Sequence, residues 1–223
     1  MSERMQELIE APRVAPSILS ADFAKLGSQI EEVMDAGARV IHFDVMDGHF
    51  VPPITMGPNA VEALRDLGAH LDVHLMVERP ERHVADFATA GAGTITIHAE
   101  ATPHLDYTLD HIRSAGCRAG LAVNPSTPLA VYGESVVDQA LCMTVNPGWG
   151  GQAFIPRSLD KIARLRAIVG DDVDVEVDGG IEASTVGPCA EAGASLFVAG
   201  TAVFGAPDPG AAYAALAAQI GCG

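Results

Sequence analysis

One pattern recurs along this chain: a helix-like segment, a glycine, and then a short apolar strand. It reads "DAGARVIHFDV", "DLGAHLDVHLMV", "TAGAGTITIHA", "SAGCRAGLAVN", "IVGDDVDVEVDGG" and "EAGASLFVAG". The glycines are Gly37, Gly68, Gly91, Gly116, Gly170 and Gly193. A glycine directly after a helix commonly supplies the left-handed residue that ends it. Strands that alternate with helices in this way indicate a parallel sheet.

The spacing of these glycines sets the number of units. The interval from Gly116 to Gly170 is about twice the others, and "QALCMTV" supplies a further strand there. With "VAPSIL" at the start, we predict eight strands, at about 14–19, 40–45, 70–75, 94–98, 118–123, 139–145, 173–177 and 195–199. Eight such units in 223 residues predict an α/β fold, a single-domain (β/α)₈ TIM barrel over 1–223, with 1–12 as an N-terminal extension.

An open doubly wound sheet is the alternative architecture. That fold usually carries a glycine fingerprint after its first strand, whereas this chain has "PSILSADF" there. The segment after the first strand also predicts the first helix, with Ser20 as its N-cap. Its apolar face is expected to contain Phe23, Leu26, Ile30, Val33 and Met34.

The charge balance excludes several classes of partner. The chain has 29 acidic residues against 13 basic ones and a formal net charge of −16. Nucleic acid needs a basic footprint, so we expect no nucleic-acid partner, and an anionic membrane surface is excluded for the same reason. An anionic substrate must therefore be held by local donors or by a metal.

Cysteine usage and the N-terminus predict a cytoplasmic protein. The four cysteines are scattered without a CxxC pair, so neither a thiolate zinc site nor a disulfide framework is expected. The opening "MSERMQELIEAPR" has no apolar core typical of a signal peptide. No apolar run is long enough to span a bilayer.

Polar side chains interrupt three of the predicted strands at every second position. Because side chains alternate between the two faces of a strand, Ile41, Phe43 and Val45 would pack on helices. The intervening residues would point into the barrel: His42, Asp44 and Met46, then Asp72, His74 and Met76, then Asp174, Glu176 and Asp178. Three strands thus direct acids and histidines toward one axis, at the strand ends where barrels carry their active sites.

These inward side chains predict a metal site. A buried charge is costly unless it is paired or bound to a metal. Nitrogen and oxygen ligands of this kind suit one Zn²⁺, Mn²⁺, Fe²⁺ or Co²⁺ ion, and the candidate ligands are His42, Asp44, His74 and Asp178. Asp72 and Glu176 lie two residues deeper. They either orient the ligands or form salt bridges within the barrel.

Two glycine-rich regions complete the predicted site, and the second of them, after strands seven and eight, predicts phosphate binding. "NPGWGGQ" follows the sixth strand, "DGG" the seventh and "AGTAVF" the eighth. Barrels frequently bind phosphate with the loops after strands seven and eight. Backbone N–H groups can hold the anion there without lysine or arginine.

Together these motifs resemble the ribulose-phosphate 3-epimerase family. The resemblance rests on "APSILSADF", "VIHFDVMDGHFVPPITMGP", "LDVHLMVERP", "IHAEAT", "VNPGWGGQAFI", "EVDGGI" and "AGTAVF", which run from about Ala15 to Phe204. It implies a (β/α)₈ barrel that interconverts D-ribulose 5-phosphate and D-xylulose 5-phosphate in the pentose phosphate pathway. It also implies one divalent metal ion per subunit, most often Zn²⁺, and a homo-oligomer.

The resemblance assigns roles to individual residues. It makes His42, Asp44, His74 and Asp178 the metal ligands, and Asp44 and Asp178 the catalytic proton acceptor and donor. Substrate contacts would come from Ser17, His74, Gly148, Trp149, Gly150, Gly151, Asp178, Gly179, Gly180, Gly200 and Thr201. Met46, Met76 and Met143 would line the pocket, although core filling is the commoner use of methionine. Trp149 and Thr201 stand where the family commonly has Phe and Ser.

The implied chemistry is proton transfer at C3 of the sugar. Loss of the C3 proton, next to the C2 ketone, gives an enediolate. Two carboxylates on opposite faces would act as the acid–base pair, and a divalent metal would stabilise the negative charge.

Two rival functions fit the same sequence: an epimerase acting on a hexulose 6-phosphate, and a non-catalytic barrel that binds sugar phosphates. The second would be expected to lack an acid or a metal ligand, and none is missing here. Asp47, His98 and Glu100 also lie at predicted strand ends. For His98 and Glu100 the sequence indicates a structural role first, and for Asp47 it indicates only a turn that begins the loop to the next helix.

Overall fold

The computed structural model describes residues 12–221 of the chain. The predicted N-terminal extension therefore lies outside the described residues, apart from Pro12, and Cys222 lies outside them as well. Within this range no helix is both long enough and apolar enough to cross a membrane.

Eight parallel strands form the barrel predicted from the sequence. They are β1 (Arg13–Pro16), β2 (Val40–Met46), β3 (His70–Met76), β4 (Thr94–His98), β5 (Arg118–Val123), β6 (Gln139–Met143), β7 (Asp174–Asp178) and β8 (Leu196–Ala199). Their order is β1-β8-β7-β6-β5-β4-β3-β2. One parallel bridge between Ser17 and His42 joins the two ends of the sheet. The doubly wound alternative is therefore wrong.

Helices follow the strands around the outside. They are α1 (Leu26–Asp35), α2 (Pro58–Leu64), α3 (Val84–Ala90), α4 (Leu105–Ser114), α5 (Val131–Glu134), α6 (Ser158–Val169), α7 (Val186–Glu191), α8 (Thr201–Phe204) and α9 (Pro209–Gln219). Short 3₁₀ turns occur at Ile18–Ser20, Phe23–Lys25, Arg65–Leu67 and Pro80–Arg82. Gly91 ends α3 at φ 111°, a left-handed conformation that favours glycine and that the repeat predicted.

Two predicted strand ends and one predicted cap are wrong. The first strand stops at Pro16 rather than at residue 19, because the Ser17 side chain accepts from the Leu19 N–H and starts a 3₁₀ turn. The sixth strand stops at Met143 rather than at residue 145, because the chain turns into a loop whose Ile155 N–H binds the Thr144 carbonyl.

The first helix begins at Leu26, later than its apolar pattern indicated. Asp22, not Ser20, supplies a cap in this segment, and it caps the 3₁₀ turn before the helix. Phe23 lies in that turn and is 54% exposed, so it does not belong to the buried face.

The alternation of side chains along the strands is as predicted. Ile41, Phe43 and Val45 belong to the large apolar layer between strands and helices. A separate apolar cluster lies inside the barrel and contains Ala15, Val40, Leu196 and Val198. Because the strands are parallel, the inward residues at their carboxyl ends meet at one mouth of the barrel.

An ion cluster lies at the opposite, amino-terminal end of the strands. The Asp174 carboxylate lies 2.8 Å from Arg13 Nη2 and 2.8 Å from Arg118 Nη2. These residues belong to β7, β1 and β5, so the cluster links strands that are not neighbours in the sheet. Asp174 therefore points inward as predicted, but it lies at the opposite end of β7 from Asp178.

Candidate active site and metal centre

Two histidines and two aspartates meet at the carboxyl ends of three strands. His42 and Asp44 come from β2, His74 from β3 and Asp178 from β7. One ligand atom from each of these four side chains lies within 4.8 Å of the others. Both imidazoles are fully buried, and Asp44 is 5% exposed. The four residues predicted as metal ligands are therefore brought together.

Each histidine is anchored through one ring nitrogen and turns the other toward the acids. His42 Nδ1 lies 2.7 Å from Asp72 Oδ2, and its Nε2 lies 3.5 Å from Asp44 Oδ1. His74 Nε2 lies 2.8 Å from His98 Nε2, and its Nδ1 lies 3.4 Å from Asp44 Oδ1.

The two inner ring nitrogens fit a bound cation. Within the described chain, His42 Nε2 and His74 Nδ1 are buried and have no hydrogen-bond partner. Buried polar atoms are normally satisfied, and these two face carboxylate oxygens that cannot donate when ionised. Two imidazole nitrogens and two carboxylates form a suitable donor set for a divalent transition metal.

Ser17 holds one of the carboxylates in place. Its hydroxyl donates to Asp44 Oδ2 at 2.5 Å, and its backbone forms the bridge to His42 that joins the ends of the sheet. Ser17 is 3% exposed, so the hydroxyl is fixed between the strand ends. This residue lies at the site, as the sequence predicted.

A buried polar layer lies directly below the four clustered residues. Asp72 accepts from His42, and Glu176 Oε1 lies 3.3 Å from the same His42 nitrogen. The Gln139 side-chain amide donates to Asp72 Oδ1 at 3.0 Å and to Glu176 Oε2 at 2.7 Å. The geometry supports the view that Asp72 orients His42.

Gln139 is not among the residues predicted from the sequence. The alternation of side chains along β6 could have identified it. Gln139, Leu141 and Met143 share one face of this strand, and the last two line the barrel interior. A glutamine on that face is as unusual as the inward acids of the other strands.

Burial and mutual charge shift the pKa values of the clustered groups in opposite directions. Burial raises the pKa of Asp178 to about 7, and the neighbouring Asp44 carboxylate adds to this increase. Burial acts in the same direction on Asp44, but the His42 and His74 rings lower its pKa below the usual value. Burial lowers the pKa of His74 to about 4. The two carboxylates therefore have different proton affinities although they share one site.

A cavity of about 350 Å³ opens above these residues, at the mouth of the barrel. Most of the remaining predicted site residues line it: Ser17, Asp44, Met46, Met76, Met143, Gly148, Trp149, Gly150, Gly151, Asp178, Gly179, Gly180, Gly200 and Thr201. His42 and His74 are fully buried behind the carboxylates. Ser20 also lines the cavity, with its hydroxyl 3.4 Å from the Thr201 hydroxyl. The sequence predicted Ser20 to be a helix cap instead.

Glycines after β7 and β8 allow close backbone packing on one side of the cavity. A Cβ atom on Gly180 would lie 2.6 Å from the Phe154 backbone nitrogen. A Cβ atom on Gly200 would lie 2.7 Å from the Ser20 hydroxyl. Side chains are therefore excluded at both positions, and backbone can approach a ligand there.

The glycine-rich loop after β6 forms another wall of the cavity. The Gln152 side-chain amide donates to the Asn146 carbonyl at 2.6 Å and to the Trp149 carbonyl at 3.0 Å. The Trp149 side chain at the tip of this loop is 56% exposed.

Asp47, for which the sequence indicated no chemical role, joins two loops. Its Oδ1 accepts from the backbone N–H groups of His49 and Phe50, at 2.8 and 2.9 Å. Its Oδ2 accepts from the Glu78 N–H at 2.8 Å. Asp47 therefore ties the loop after β2 to the loop after β3, which is a structural role.

Comparison with known families identifies a match over most of the chain. The model of the Ribulose-phosphate 3 epimerase family matches residues 13–204. A protein of Escherichia coli strain K12, named ribulose-phosphate 3-epimerase, is 52% identical over 202 residues, covering 87% of this chain and 90% of the relative. A protein of the same name from Bacillus subtilis strain 168 is 51% identical over 204 residues, covering 88% of this chain and 94% of the relative.

Solved structures support the barrel at the level of the fold. A crystal structure of KGPDC from Streptococcus mutans aligns with a TM-score of 0.75 at 17% identity, over 94% of this chain and 97% of its own. Tryptophan synthase from Mycobacterium tuberculosis aligns with a TM-score of 0.71 at 16% identity, over 97% of this chain and 95% of its own. Identity at this level shows a shared barrel and not a shared reaction.

Proposed function

Because this chain belongs to the ribulose-phosphate 3-epimerase family of carbohydrate epimerases, we propose that it interconverts D-ribulose 5-phosphate and D-xylulose 5-phosphate. One observation carries the proposal: two carboxylates from β2 and β7 line a cavity directly beside two unpartnered imidazole nitrogens. This arrangement provides two proton carriers and a cation site at one point.

The two carboxylates act as the proton carriers. Asp44 and Asp178 lie on strands separated in the barrel by β1 and β8, so they approach a bound sugar from different sides. One carboxylate removes the C3 proton and the other returns a proton to the opposite face of the planar intermediate. The two aspartates exchange roles when the reaction direction reverses. Ser17 keeps Asp44 in position through its 2.5 Å hydrogen bond.

A divalent cation completes the site. His42 Nε2, His74 Nδ1 and the carboxylates of Asp44 and Asp178 would hold it, since their donor atoms lie within 4.8 Å of one another. Zn²⁺ is the ion we propose first, with Fe²⁺, Mn²⁺ and Co²⁺ as alternatives that suit the same ligands. When bound, the ion supplies Lewis-acid stabilisation of the negative charge that develops on the sugar oxygens.

The remaining cavity residues bind and enclose the substrate. The backbone at Gly179 and Gly180 and at Gly200 and Thr201 would hold the phosphate, where added side chains are excluded by close packing. Ser17 contacts the sugar from the cavity wall, whereas His74, which is fully buried, serves the reaction as a ligand of the proposed ion. The loop of Gly148, Trp149, Gly150 and Gly151 closes over the sugar. The cavity-lining methionines Met46, Met76 and Met143 exclude water from the intermediate.

We place the protein in the cytoplasm, in the pentose phosphate pathway, because the described cysteines Cys117, Cys142 and Cys189 are buried free thiols. A homo-oligomer is proposed because Ile54, which is 82% exposed, and Phe23 expose large apolar side chains at the barrel mouth. Sedimentation velocity would measure the subunit number.

Turnover in deuterated water tests the reaction. D-ribulose 5-phosphate should yield D-xylulose 5-phosphate with deuterium at C3, because the proton returns from an exchangeable carboxylate. NMR of the product would detect it. Product without deuterium at C3 would contradict two-carboxylate proton transfer.

A comparison of substrates separates the pentulose from the hexulose reaction. We expect kcat/KM to be at least tenfold higher for D-ribulose 5-phosphate than for a hexulose 6-phosphate. The reverse preference would favour the hexulose rival. Binding of both sugars without turnover would favour the non-catalytic barrel.

A further inference from the structure

A chain of hydrogen bonds leads from the candidate metal centre to a carboxylate outside it. His74 Nε2 lies 2.8 Å from His98 Nε2, and His98 Nδ1 lies 3.2 Å from Glu100 Oε2. His98 is fully buried, and its ring stacks on His74 at 5.0 Å between centroids. The His98 ring therefore has a donor or acceptor on each nitrogen and little freedom to turn.

Glu100 is itself held by fixed donors. Its Oε1 accepts from the Asn124 N–H at 2.8 Å and from the Thr127 hydroxyl. The loop carrying both donors is anchored by Lys161, whose ammonium lies 2.6 Å from the Asn124 carbonyl and 2.8 Å from the Thr127 carbonyl. Burial raises the pKa of Glu100, but these donors and His98 outweigh it and lower the pKa to about 2. Glu100 is therefore an ionised carboxylate that can only accept.

An acceptor at Glu100 determines where the protons lie on both rings. His98 must donate its Nδ1–H to the carboxylate, so a neutral His98 has a lone pair on Nε2. That lone pair accepts the Nε2–H of His74. The His74 proton is then on Nε2, and the lone pair of His74 is on Nδ1, the buried nitrogen that faces Asp44 and Asp178.

We propose that Glu100 is a positioning residue that fixes the His98 and His74 tautomers, so that His74 Nδ1 presents its lone pair to the metal. The inference rests on the proposed function in one respect, that a cation occupies the four-residue site. The residue acts through two side chains and contacts neither substrate nor metal. Through His98 on β4, Glu100 gives His74 the kind of support that Asp72 on β3 gives to His42.

The substitution Glu100→Gln should reverse the positions of the protons on the His98 and His74 rings. Asn124 N–H and the Thr127 hydroxyl retain the amide oxygen at the Oε1 position, so the amide nitrogen faces His98 Nδ1. A donor there makes His98 accept at Nδ1 and carry its proton on Nε2. His98 then donates to His74 Nε2, and the His74 proton moves to Nδ1, the nitrogen that the metal requires.

The first experiment observes the tautomers directly in metal-free protein. Two-bond ¹H–¹⁵N spectra of protein labelled in its histidine rings distinguish the Nδ1–H form from the Nε2–H form. We expect His74 to be the Nε2–H tautomer in wild type and the Nδ1–H tautomer in Glu100→Gln. The ring signals would be assigned by their loss in single variants, His98→Leu for the His98 ring and His74→Leu for the His74 ring.

The second experiment measures metal affinity by competition with a chromophoric chelator, with Zn²⁺ and Co²⁺ as the probes. Mutation of the residue that hydrogen-bonds to a ligating histidine typically weakens metal affinity 10–100-fold. We therefore expect Glu100→Gln and His98→Leu each to raise the Kd at least tenfold. The matched control is Glu78→Gln, which removes one charge from an exposed glutamate. Glu78 and Glu100 line the same surface pocket. The Kd of the control variant should stay within twofold of wild type.

Circular dichroism and thermal melting would establish that each variant is folded. Should Glu100→Gln fail to fold, the wild-type tautomer and the His98→Leu affinity decide the question. A His74 that is Nδ1–H in wild type, or variants that bind metal as tightly as wild type, would overturn the inference. Absence of metal binding by wild type would instead contradict the proposed function, and the tautomer spectra would still test the role of Glu100.

Discussion

At the scale of single residues, depth in the barrel decides what an aspartate does. Asp174 and Asp178 lie on the same strand and face the same interior. Asp174 is held between two guanidinium groups at the amino-terminal end, where its charge is neutralised. Asp178 has no such cation, and burial raises its pKa to about 7. Four residues along one strand thus separate a structural carboxylate from a reactive one.

Asp44→Asn and Asp178→Asn should each lower kcat by at least about 10³-fold, since a positioned acid or base contributes 10²–10⁴-fold to a rate. The amide keeps the size of the side chain but cannot carry the proton. Coupled assays of xylulose 5-phosphate formation would measure the loss, and metal content must be determined for each variant. Retention of most of kcat by either metal-loaded variant would be incompatible with two proton carriers.

The pKa of Glu100 predicts how this residue affects acid stability. The value falls from about 4.5 to about 2 on folding, so the unfolded chain binds this proton first as the pH drops. The contribution of Glu100 to stability should be complete above about pH 4.5 and should disappear as the pH falls toward 2. Urea unfolding of wild type and Glu100→Gln between pH 3 and 7 would show the two free energies of unfolding converging at low pH. If the difference between the two free energies of unfolding grew as the pH fell, the predicted direction of the pH dependence would be wrong.

At the scale of elements, the ion cluster at the amino-terminal end joins strands that the sheet does not pair. Arg13, Asp174 and Arg118 come from β1, β7 and β5, with β8 and β6 between them. Cross-links of this kind oppose opening of the barrel. They also leave the carboxyl-terminal mouth free for chemistry.

Asp174→Ala should lower the free energy of unfolding by about 3 kcal/mol, because it leaves two largely buried arginines unpaired. Four strand residues, roughly 13 Å, separate Asp174 from Asp178, so kcat of the folded variant should stay within about twofold of wild type. Urea unfolding and steady-state assays would measure both. The control is Asp110→Ala, which removes an exposed partner of Arg113 and should cost less than about 1 kcal/mol.

Much of the fold was predictable because the signals were local. Eight strands, their alternation of faces and the meeting of His42, Asp44, His74 and Asp178 follow from a period of two and a parallel topology. The failures lie where one side chain decides a boundary. Ser17 turned the chain into a 3₁₀ segment, and Asp22 replaced Ser20 as a cap. Gln139 and the His98–Glu100 link depend on contacts between strands, which spacing along one strand does not show.

At the scale of the whole molecule, a bound ion should stabilise the barrel. Three strands supply its ligands, and the unfolded chain does not hold them together. Stabilisation should reach about 2.7 kcal/mol at a free metal concentration one hundred times the Kd. Removal of metal by a chelator should therefore lower Tm, and Zn²⁺ should restore it. Asp44→Asn should show a smaller shift, and an equal shift in this variant would indicate binding elsewhere.

The burial of Lys161 has a consequence for labelling the protein. The chain contains two lysines, Lys25 and Lys161. Lys161 is 5% exposed, and its ammonium donates hydrogen bonds to backbone carbonyls. The Lys25 side chain, in contrast, is 72% exposed. An amine-reactive dye should therefore attach to one lysine side chain, just after β1 at the mouth of the barrel. Peptide mapping by mass spectrometry would identify it. Molecules labelled on a lysine would then carry the fluorophore or surface tether at the same place, in the 3₁₀ turn Phe23–Lys25.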